Sequence, residues 1–464
     1  MRKNLFTLIL MLLGVLQLPA QITRSDEFHQ KYTLSEVVVF SRHNIRAPMA
    51  GPGSLLEQVT PYEWHDFGVN TQELTMKGGI LETTNGQFFH KWVVSEGLFP
   101  ENAEPTSDEL YVLANSKQRT ISTARHFVSA FMPMQTVTVH HEGKIGDSDP
   151  NFTLNLGTDL TESDLAQIKA EYAAAYTPEA LRQLSESLQP IYDLLADVID
   201  LKDSEGYKTG TFMGFDNHDT TIEYAIGTEP SLTASISDAA TIVDALVLQY
   251  YEEPDALKAG FGHELTLQQW HDLASLIHVR DHVRFSSPFV NRYVSRHQRQ
   301  IIADELLNSG RKFTFLCGHD TNILNILAAL RMKSYETPEA IESGTPIGSK
   351  IVFEKWTDEG GQQFVAVNHV YQSLDELRNN TLLNLDTPPN IIPLEFEDMT
   401  ANEDGLYTLD DMIGRLTDSD NPEPVSSIRS EASTQAPAYT LQGTLAPSDY
   451  RGIILRDGQK NIVR

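Results

Sequence analysis

The sequence has only one cysteine, Cys317, among 464 residues. A single thiol cannot form a disulfide within the chain, so packing rather than cross-links must stabilise the folded state. Basic residues are also few, because 35 lysines and arginines stand against 64 aspartates and glutamates, which gives a formal net charge of −29. This charge argues against nucleic acid or an anionic membrane as a partner. It also means that an anionic substrate would need a pocket that is locally positive.

Long apolar runs are missing after the first 20 residues. Residues 1–20 have the organisation of a secretory signal peptide: Arg2 and Lys3 precede an apolar segment, residues 5–16, and a plausible cleavage region at residues 18–20. We therefore predict a signal peptide and a periplasmic or secreted protein, with a retained N-terminal anchor helix as the alternative. Every later apolar segment is shorter than the roughly 18 residues that cross a bilayer, so we predict no membrane span in the mature chain.

The pattern of apolar residues predicts an α/β fold. The chain is too long for one ordinary core, and 40% of its residues are hydrophobic, as in globular proteins. Strands are predicted at residues 35–41, 109–114, 135–140 and 312–317, a hairpin at 350–356 and 363–370, and helices at segments such as 117–131, 178–188, 191–199 and 321–330. Between about residues 147 and 258, helical patterns follow one another without strands. We predict a mostly parallel sheet flanked by helices, with an inserted α-helical domain.

The predicted domain boundaries follow these changes in pattern. The α/β domain comprises residues 21–146 and 276–400, and the inserted helical domain comprises residues 147–275. Residues 401–464 form a C-terminal extension that is partly linker-like, because residues 418–444 are rich in Ser, Pro, Ala, Asp and Glu. The Asp457-Gly458 pair predicts a short hairpin at the end of the extension.

The first predicted strand ends in a cluster of two arginines and a histidine, Arg42-His43-Asn44-Ile45-Arg46. In an open α/β sheet, ligands bind at the carboxyl ends of the strands. Arginine binds phosphate oxygens with a planar fork and keeps its charge, and a neutral histidine can act as a nucleophile. The cluster therefore suggests a phosphate site with His43 as nucleophile. The alternative from these residues alone is a basic surface loop whose histidine has an ordinary hydrogen-bond partner.

A second cluster, His319-Asp320, follows the apolar strand predicted at residues 312–317. Of the His-Asp pairs in the chain, this one lies between a strongly apolar strand and a helix start, where backbone N–H groups favour an anion. His319 could bind a phosphoryl group there, and Asp320 could protonate the departing alkoxide. Arg119, in the first turn of the helix predicted at 117–131, could add a third cation; its alternative role is a surface ion pair.

Two other chemistries are not favoured by the sequence. Cys317 precedes Gly318-His319, but a cysteine phosphatase needs the spacing Cys-x5-Arg, and Ile323 stands where that arginine would be. His278 and His282 are four residues apart on a predicted helix and could share a metal ion, but their segment lacks the glutamate of the zinc-protease motif. We predict no metal site.

Together, the early Arg42-His43-x-x-Arg46-x-Pro48, the intervening Arg119 and the late His319-Asp320 resemble the motifs of the histidine acid phosphatases, in their two-motif branch. The resemblance covers roughly residues 33–395. Asn44, where most members carry Gly, and Thr345-Pro346-Ile347-Gly348 are similar to the periplasmic glucose-1-phosphatases of bacteria within that family. The chain departs from the family in lacking the disulfides that relatives usually carry, and its segment after about residue 400 has no counterpart there.

The resemblance implies a role for each matching residue. His43 would be the nucleophile that becomes phosphohistidine, and Asp320 would be the proton donor. Four residues would hold the phosphate oxygens: Arg42, Arg46, Arg119 and His319. Asn44 and Glu252 would lie near the substrate. The family's reaction implies neither a metal nor another cofactor.

We therefore expect an acid phosphatase that hydrolyses phosphate monoesters, with sugar phosphates such as glucose 1-phosphate as substrates. Within the enzyme class, the alternative is a phytase-like phosphatase of inositol phosphates. Outside it, the alternative is a non-catalytic phosphate- or sugar-phosphate-binding protein of the cell envelope. His43 and Asp320 argue against that alternative, because binding alone needs neither a nucleophile nor an acid. The expected partner is a small-molecule phosphate monoester, and the sequence does not specify an oligomeric state.

Overall fold

The computed structural model describes residues 24–51, 53–215 and 220–418, together with the short strands at 438–440, 452–456 and 459–463. The predicted signal peptide and most of the predicted linker lie outside the described residues. Within the described parts of the chain, no helix combines the length and the apolar character that crossing a membrane requires.

The strands are β1 (Tyr32–Arg42), β2 (Leu110–Ala114), β3 (Thr221–Glu223), β4 (Ser231–Thr233), β5 (Phe313–Gly318), β6 (Lys350–Asp358), β7 (Gln363–Tyr371), β8 (Asn390–Pro393), β9 (Tyr407–Thr408), β10 (Ala438–Thr440), β11 (Gly452–Arg456) and β12 (Gln459–Val463). The helices are α1 (Asp26–Lys31), α2 (Met76–Ser95), α3 (Gln118–Phe131), α4 (Glu162–Ala175), α5 (Pro178–Val198), α6 (Glu205–Thr209), α7 (Ser235–Glu252), α8 (Ala256–Ala259), α9 (Leu267–Arg284), α10 (Pro288–Leu307), α11 (Asp320–Ala329), α12 (Leu374–Asn379) and α13 (Leu409–Leu416).

The central sheet has the strand order β2-β5-β1-β6-β7-β8, and β9 also pairs with β7. Strands β1 and β2 lie parallel to β5, whereas β6, β7, β8 and β9 join antiparallel. The predicted α/β class with flanking helices is confirmed. The sheet is mixed, because only its core of β2, β5 and β1 is parallel. The other half is antiparallel because β6 and β7 form the predicted hairpin and β6 runs against β1.

The side chains of β1 are buried on both sides of the sheet. Val37 and Val39 point to the side covered by α2 and α3, while Val38 and Phe40 point to the side covered by α10 and α11. A continuous run of β-branched residues is typical of a strand that helices cover on both faces. The apolar pattern that predicted this strand therefore reflects its central place in the sheet.

The strand predicted at residues 135–140 is wrong. Only His140 pairs there, in an isolated bridge to Leu113 of β2. The alternating pattern arises because Val137 and Val139 are half-buried and pack against the core, while Thr136, Thr138 and His140 are exposed. The segment lies beside the edge of the sheet without continuing it.

The two helices predicted at residues 178–188 and 191–199 are a single helix, α5, which runs through Pro190. Proline inside a helix removes one hydrogen bond and disturbs the preceding turn. Here the buried face continues across the proline, since Leu188, Tyr192 and Leu195 all pack into one core. Burial of that face outweighs the tendency of Pro190 to end the helix.

The helical region packs directly against the end of β1. Ile45, just after β1, and Ile347, just before β6, share a core with α5, α7 and α9. The helices therefore form one wall of the region where the first motif lies.

The predicted domain boundaries remain predictions. Strand β9 and helix α13, beyond the predicted boundary at residue 401, pack on the central sheet.

The predicted C-terminal hairpin is confirmed by the antiparallel pairing of β11 with β12. Strand β10 pairs with the other edge of β11 and makes a three-stranded sheet. The Asp457-Gly458 turn itself lies outside the described residues.

Candidate active site

The two sequence motifs meet at the carboxyl ends of adjacent parallel strands. Arg42 at the end of β1 is in register with Gly318 at the end of β5, and the backbone N–H of His43 donates to the Gly318 carbonyl at 3.0 Å. This pairing places the imidazoles of His43 and His319 side by side, with ring centroids 5.3 Å apart. Residues about 275 positions apart in the sequence thus form one site because their strands are neighbours in the sheet.

His43 is buried, and one of its ring nitrogens is occupied. Its Nδ1 lies 2.8 Å from the carbonyl oxygen of Asn44. A carbonyl can only accept, so Nδ1 carries the proton and Nε2 keeps a free lone pair. Burial, and then the positive charges of Arg119 and Arg46, hold the pKa of His43 well below its ordinary value. The imidazole is therefore neutral, which is the nucleophilic form.

Arg42 lies between two carboxylates. Its Nη1 donates to Glu342 Oε1 and to the Thr345 carbonyl, both at 2.6 Å, and its Nη2 lies 3.1 Å from Asp320 Oδ2. Burial by itself would lower the pKa of Arg42, but Glu342 and Asp320 outweigh burial and raise it. The guanidinium therefore stays charged although it is almost completely buried.

Arg46 and Arg119 supply two further cations. Arg46 Nη2 binds both carboxylate oxygens of Asp244 at 3.1 and 3.0 Å. Arg119 is the second residue of helix α3, and its buried Nε has no hydrogen-bond partner among the described residues. Burial, and then the nearby charge of Arg46, lower the pKa of Arg119 to about 10. An arginine that is buried but incompletely paired is suited to bind an incoming anion.

His319 and Asp320 begin helix α11. Asn115 Nδ2 lies 3.1 Å from His319 Nε2. Burial, and then Arg119, lower the pKa of His319. Burial would raise the pKa of Asp320, but Arg42, His319 and the Thr321 N–H together hold it below its ordinary value. Without a bound anion, the Asp320 carboxyl is therefore ionised and paired with Arg42.

The structure brings six of the eight predicted residues into one electrostatically connected group: Arg42, His43, Arg46, Arg119, His319 and Asp320. Asn44 is completely buried behind His43, with its carboxamide on Glu82. Glu252, at the end of α7, interacts with Thr75, Lys77 and His65. Glu252 is partly buried, and this burial raises the pKa of its carboxyl group.

The partners of the arginines were not identified from the sequence. Glu342 precedes β6 and Asp244 lies within α7, 300 and 198 positions from the arginines that they bind. A third missed residue is Arg280 of α9, which pairs with Asp281 at 2.8 Å and whose charge acts on Asp320. Isolated carboxylates and arginines in helices and loops carry no motif, so only the fold reveals these contacts.

A small cavity adjoins Arg42 and Asp320. Its polar lining includes His278, Asp281 and Glu342. The leaving group of a phosphate ester must contact the acid that protonates it, and this cavity lies on the side of Asp320 that faces His278 and Asp281.

A neutral imidazole among arginines, beside a carboxyl group at the end of a parallel strand, defines a phosphoryl-transfer enzyme, because such enzymes work by positioning and by charge stabilisation. The family comparison agrees with this class. The family model for the histidine phosphatase superfamily (branch 2) matches residues 33–372. The chain belongs to branch 2 of the histidine phosphatase superfamily.

Curated relatives and solved structures support the same family. A glucose-1-phosphatase from Providencia rettgeri is 33% identical over 384 residues, covering 82% of this chain and 90% of that protein. A glucose-1-phosphatase from Salmonella typhimurium is 33% identical over 390 residues, covering 82% of this chain and 91% of that protein. The solved Hafnia alvei phytase in complex with myo-inositol hexakis sulphate has a TM-score of 0.73 and 28% identity, covering 85% of this chain and 98% of that chain.

The family assignment confirms the prediction of an enzyme. The protein is a phosphoric monoester hydrolase of the histidine acid phosphatase type. The alternative of a non-catalytic binding protein is not supported.

Proposed function

We propose that the protein hydrolyses sugar phosphates such as glucose 1-phosphate through a phosphohistidine on His43. The observation that carries this proposal is the state of His43: neutral, with its proton fixed on Nδ1, and lying beside Arg42, Arg46 and Arg119. The 33% identity to two glucose-1-phosphatases supports the choice of substrate.

The reaction has two balanced steps. In the first, Nε2 of His43 forms a bond to phosphorus as the ester P–O bond breaks, and Asp320 gives its proton to the departing oxygen. In the second, water attacks phosphorus, the P–N bond breaks, and the Asp320 carboxylate takes up a proton from that water. The arginines and His319 hold the phosphoryl oxygens throughout.

Asp320 must gain a proton when the substrate binds. In the free enzyme Arg42 lowers the pKa of Asp320, but a phosphate group on Arg42 replaces Asp320 as its partner and adds negative charge nearby. Both changes raise the pKa of the Asp320 carboxyl. Binding of the phosphate ester thus favours the protonated form of Asp320, which is the form that can act as general acid.

Sulfate binding tests this change in charge. Since the pKa of Asp320 is lower in the free enzyme than in the complex, binding takes up a proton between the two values, and affinity rises as the pH falls. Calorimetry in buffers of different ionisation enthalpy should show about one proton more taken up by the wild type than by Asp320→Asn at pH 4 to 6. The variant controls for proton uptake by His43 and His319. Equal uptake in both proteins would contradict the mechanism.

The second candidate function is phytase activity, favoured by the structural similarity to the Hafnia alvei phytase. A phytate polyanion would meet a chain of net charge −29 and the carboxylates of Asp281 and Glu342 beside Asp320. We therefore expect kcat/KM to be at least about tenfold higher for glucose 1-phosphate than for phytate. Parallel phosphate-release assays measure this ratio, and a reversed preference would favour the phytase candidate.

We also propose export to the periplasm or the medium. Residues 1–20 have the sequence organisation of a signal peptide. N-terminal sequencing of protein from the envelope fraction tests this directly.

We further propose the domain division at residues 147–275 for the helical insertion.

A further inference from the structure

Asn44 holds His43, and all the polar atoms of Asn44 form hydrogen bonds. The Asn44 carbonyl accepts from His43 Nδ1 at 2.8 Å, and the Asn44 N–H donates to Thr123 Oγ1 at 3.1 Å. The carboxamide of Asn44 accepts from the Ile45 N–H at 2.9 Å through Oδ1 and donates to Glu82 Oε2 at 3.0 Å through Nδ2. Besides its hydrogen bond to the imidazole, Asn44 is therefore held by three further hydrogen bonds.

Glu82 belongs to a buried ion pair with Lys350. Glu82 lies on α2 and Lys350 opens β6; Lys350 Nζ is 2.9 Å from Glu82 Oε1, and both side chains are 0% exposed. Lys350 Nζ also donates to the Gly348 carbonyl at 2.8 Å, and the Gly348 N–H donates to the His43 carbonyl at 3.2 Å. Lys350 thus reaches the peptides around His43 by two routes, one through Glu82 and Asn44 and one through Gly348.

Gly348 makes room for this arrangement. Its φ of +68° lies in the left-handed region, and a Cβ atom at this position would lie 2.6 Å from Asn44 Nδ2. Only glycine therefore lets the Asn44 carboxamide occupy its place against Glu82. The loop before β6, the ion pair and Asn44 fit together as one unit behind the nucleophile.

We propose that Glu82 and Lys350 are positioning residues that hold the imidazole of His43 in its attacking orientation through Asn44. This inference rests on the proposed role of His43 as nucleophile. A buried ion pair contributes little net stability, because desolvation offsets the attraction between its charges. Its role here is to fix the Asn44 peptide, whose carbonyl accepts the hydrogen bond from Nδ1 of His43.

The consequence for catalysis is a loss in kcat rather than in substrate binding. If the Asn44 carbonyl rotates, the imidazole rotates with it, and Nε2 no longer lies in line with the ester bond. A displacement of about 1 Å can cost about 100-fold in rate. Arg42 and Arg46 are held by Glu342 and Asp244 rather than by Glu82, so KM should change far less.

The isosteric substitution Asn44→Asp tests the contact with Glu82. It keeps the acceptor for the Ile45 N–H but places one carboxylate against another, with only Lys350 to balance them. We expect kcat to fall by about 100-fold, with KM within about threefold of the wild type. Adding Glu82→Gln restores a donor towards residue 44 and restores charge balance with Lys350. The double variant N44D/E82Q should recover kcat to within about fivefold of the wild type and should exceed E82Q alone.

A matched control lies on the same sheet. Asn368 Nδ2 donates to the buried Glu354 at 2.6 Å, and Glu354 pairs with Arg24 at 3.2 Å, so the same donor, carboxylate and cation recur. Glu354 is four residues along β6 from Lys350, roughly 13 Å at the rise of a strand. Asn368→Asp should cost stability as Asn44→Asp does, but should leave kcat within about twofold.

The outcomes separate the inference from the proposed function. A full kcat in N44D, or a double variant no better than E82Q, overturns the positioning role. If N44D does not fold, the comparison of E82Q with N44D/E82Q still decides. Hydrolysis that persists in His43→Ala would instead overturn the proposed nucleophile, whereas an inactive His43→Ala with a fully active N44D overturns only the inference.

Discussion

Replacing His43 by alanine is expected to abolish turnover, with kcat for glucose 1-phosphate at least about 10,000-fold below the wild type. The neutral imidazole is the nucleophile in the proposed reaction, and alanine leaves no group that can bond to phosphorus. The arginines remain, so sulfate affinity should change by less than about tenfold. Steady-state kinetics measure the loss, and acid quenching during turnover should trap phosphohistidine in the wild type and none in the variant.

The exposed His297 on α10 supplies the control for this substitution. His297→Ala removes an imidazole far from any described site contact and should keep kcat within about twofold. Turnover in His43→Ala above about 1% of the wild type would contradict the nucleophile role. Phosphohistidine trapped in that variant would point to His319, whose ring is 5.3 Å from that of His43.

The part of the site that was predictable from sequence lies at the ends of strands. An apolar run that stops at a charged cluster marks the carboxyl end of a buried strand, and two such ends in one parallel pair must meet. The sequence placed His43 and His319 each at a strand end, the family resemblance implied that they share a site, and the pairing of β1 with β5 explains why they meet. Arg119 was predicted in the first turn of a helix after a strand, and the parallel pairing of β2 with β5 explains why that turn lies at the same edge of the sheet.

The supporting contacts were not predictable in the same way. Glu342 and Asp244 bind the arginines from a loop and a helix whose positions depend on the packing of the whole helical region. The family resemblance implied that Asn44 lies near the substrate. Its carboxamide is instead buried against Glu82, since Gly348 leaves space on that side. Sequence spacing shows which residues are neighbours along the chain, but side-chain direction depends on packing.

Replacing Asp320 by asparagine should separate substrates by their leaving groups. A sugar alkoxide needs a proton as it departs, so kcat for glucose 1-phosphate should fall by about 1,000-fold. p-Nitrophenolate leaves without a proton, so the first turnover of p-nitrophenyl phosphate should slow by less than about tenfold. The second step also loses its base, and phosphohistidine should therefore accumulate. Rapid mixing would then show a burst of p-nitrophenol close to one equivalent per enzyme.

Asp281→Asn provides the control for a lost negative charge, because Asp281 lines the same cavity and pairs with Arg280. Removing that charge alters the electrostatics of the cavity without removing a proton donor. We expect its effect on rate to be the same for both substrates, within about threefold. The ratio of the two first-turnover rates is thus the decisive quantity, since loss of charge alone cannot change it. An unchanged ratio in Asp320→Asn would show that the proton reaches the leaving group from elsewhere.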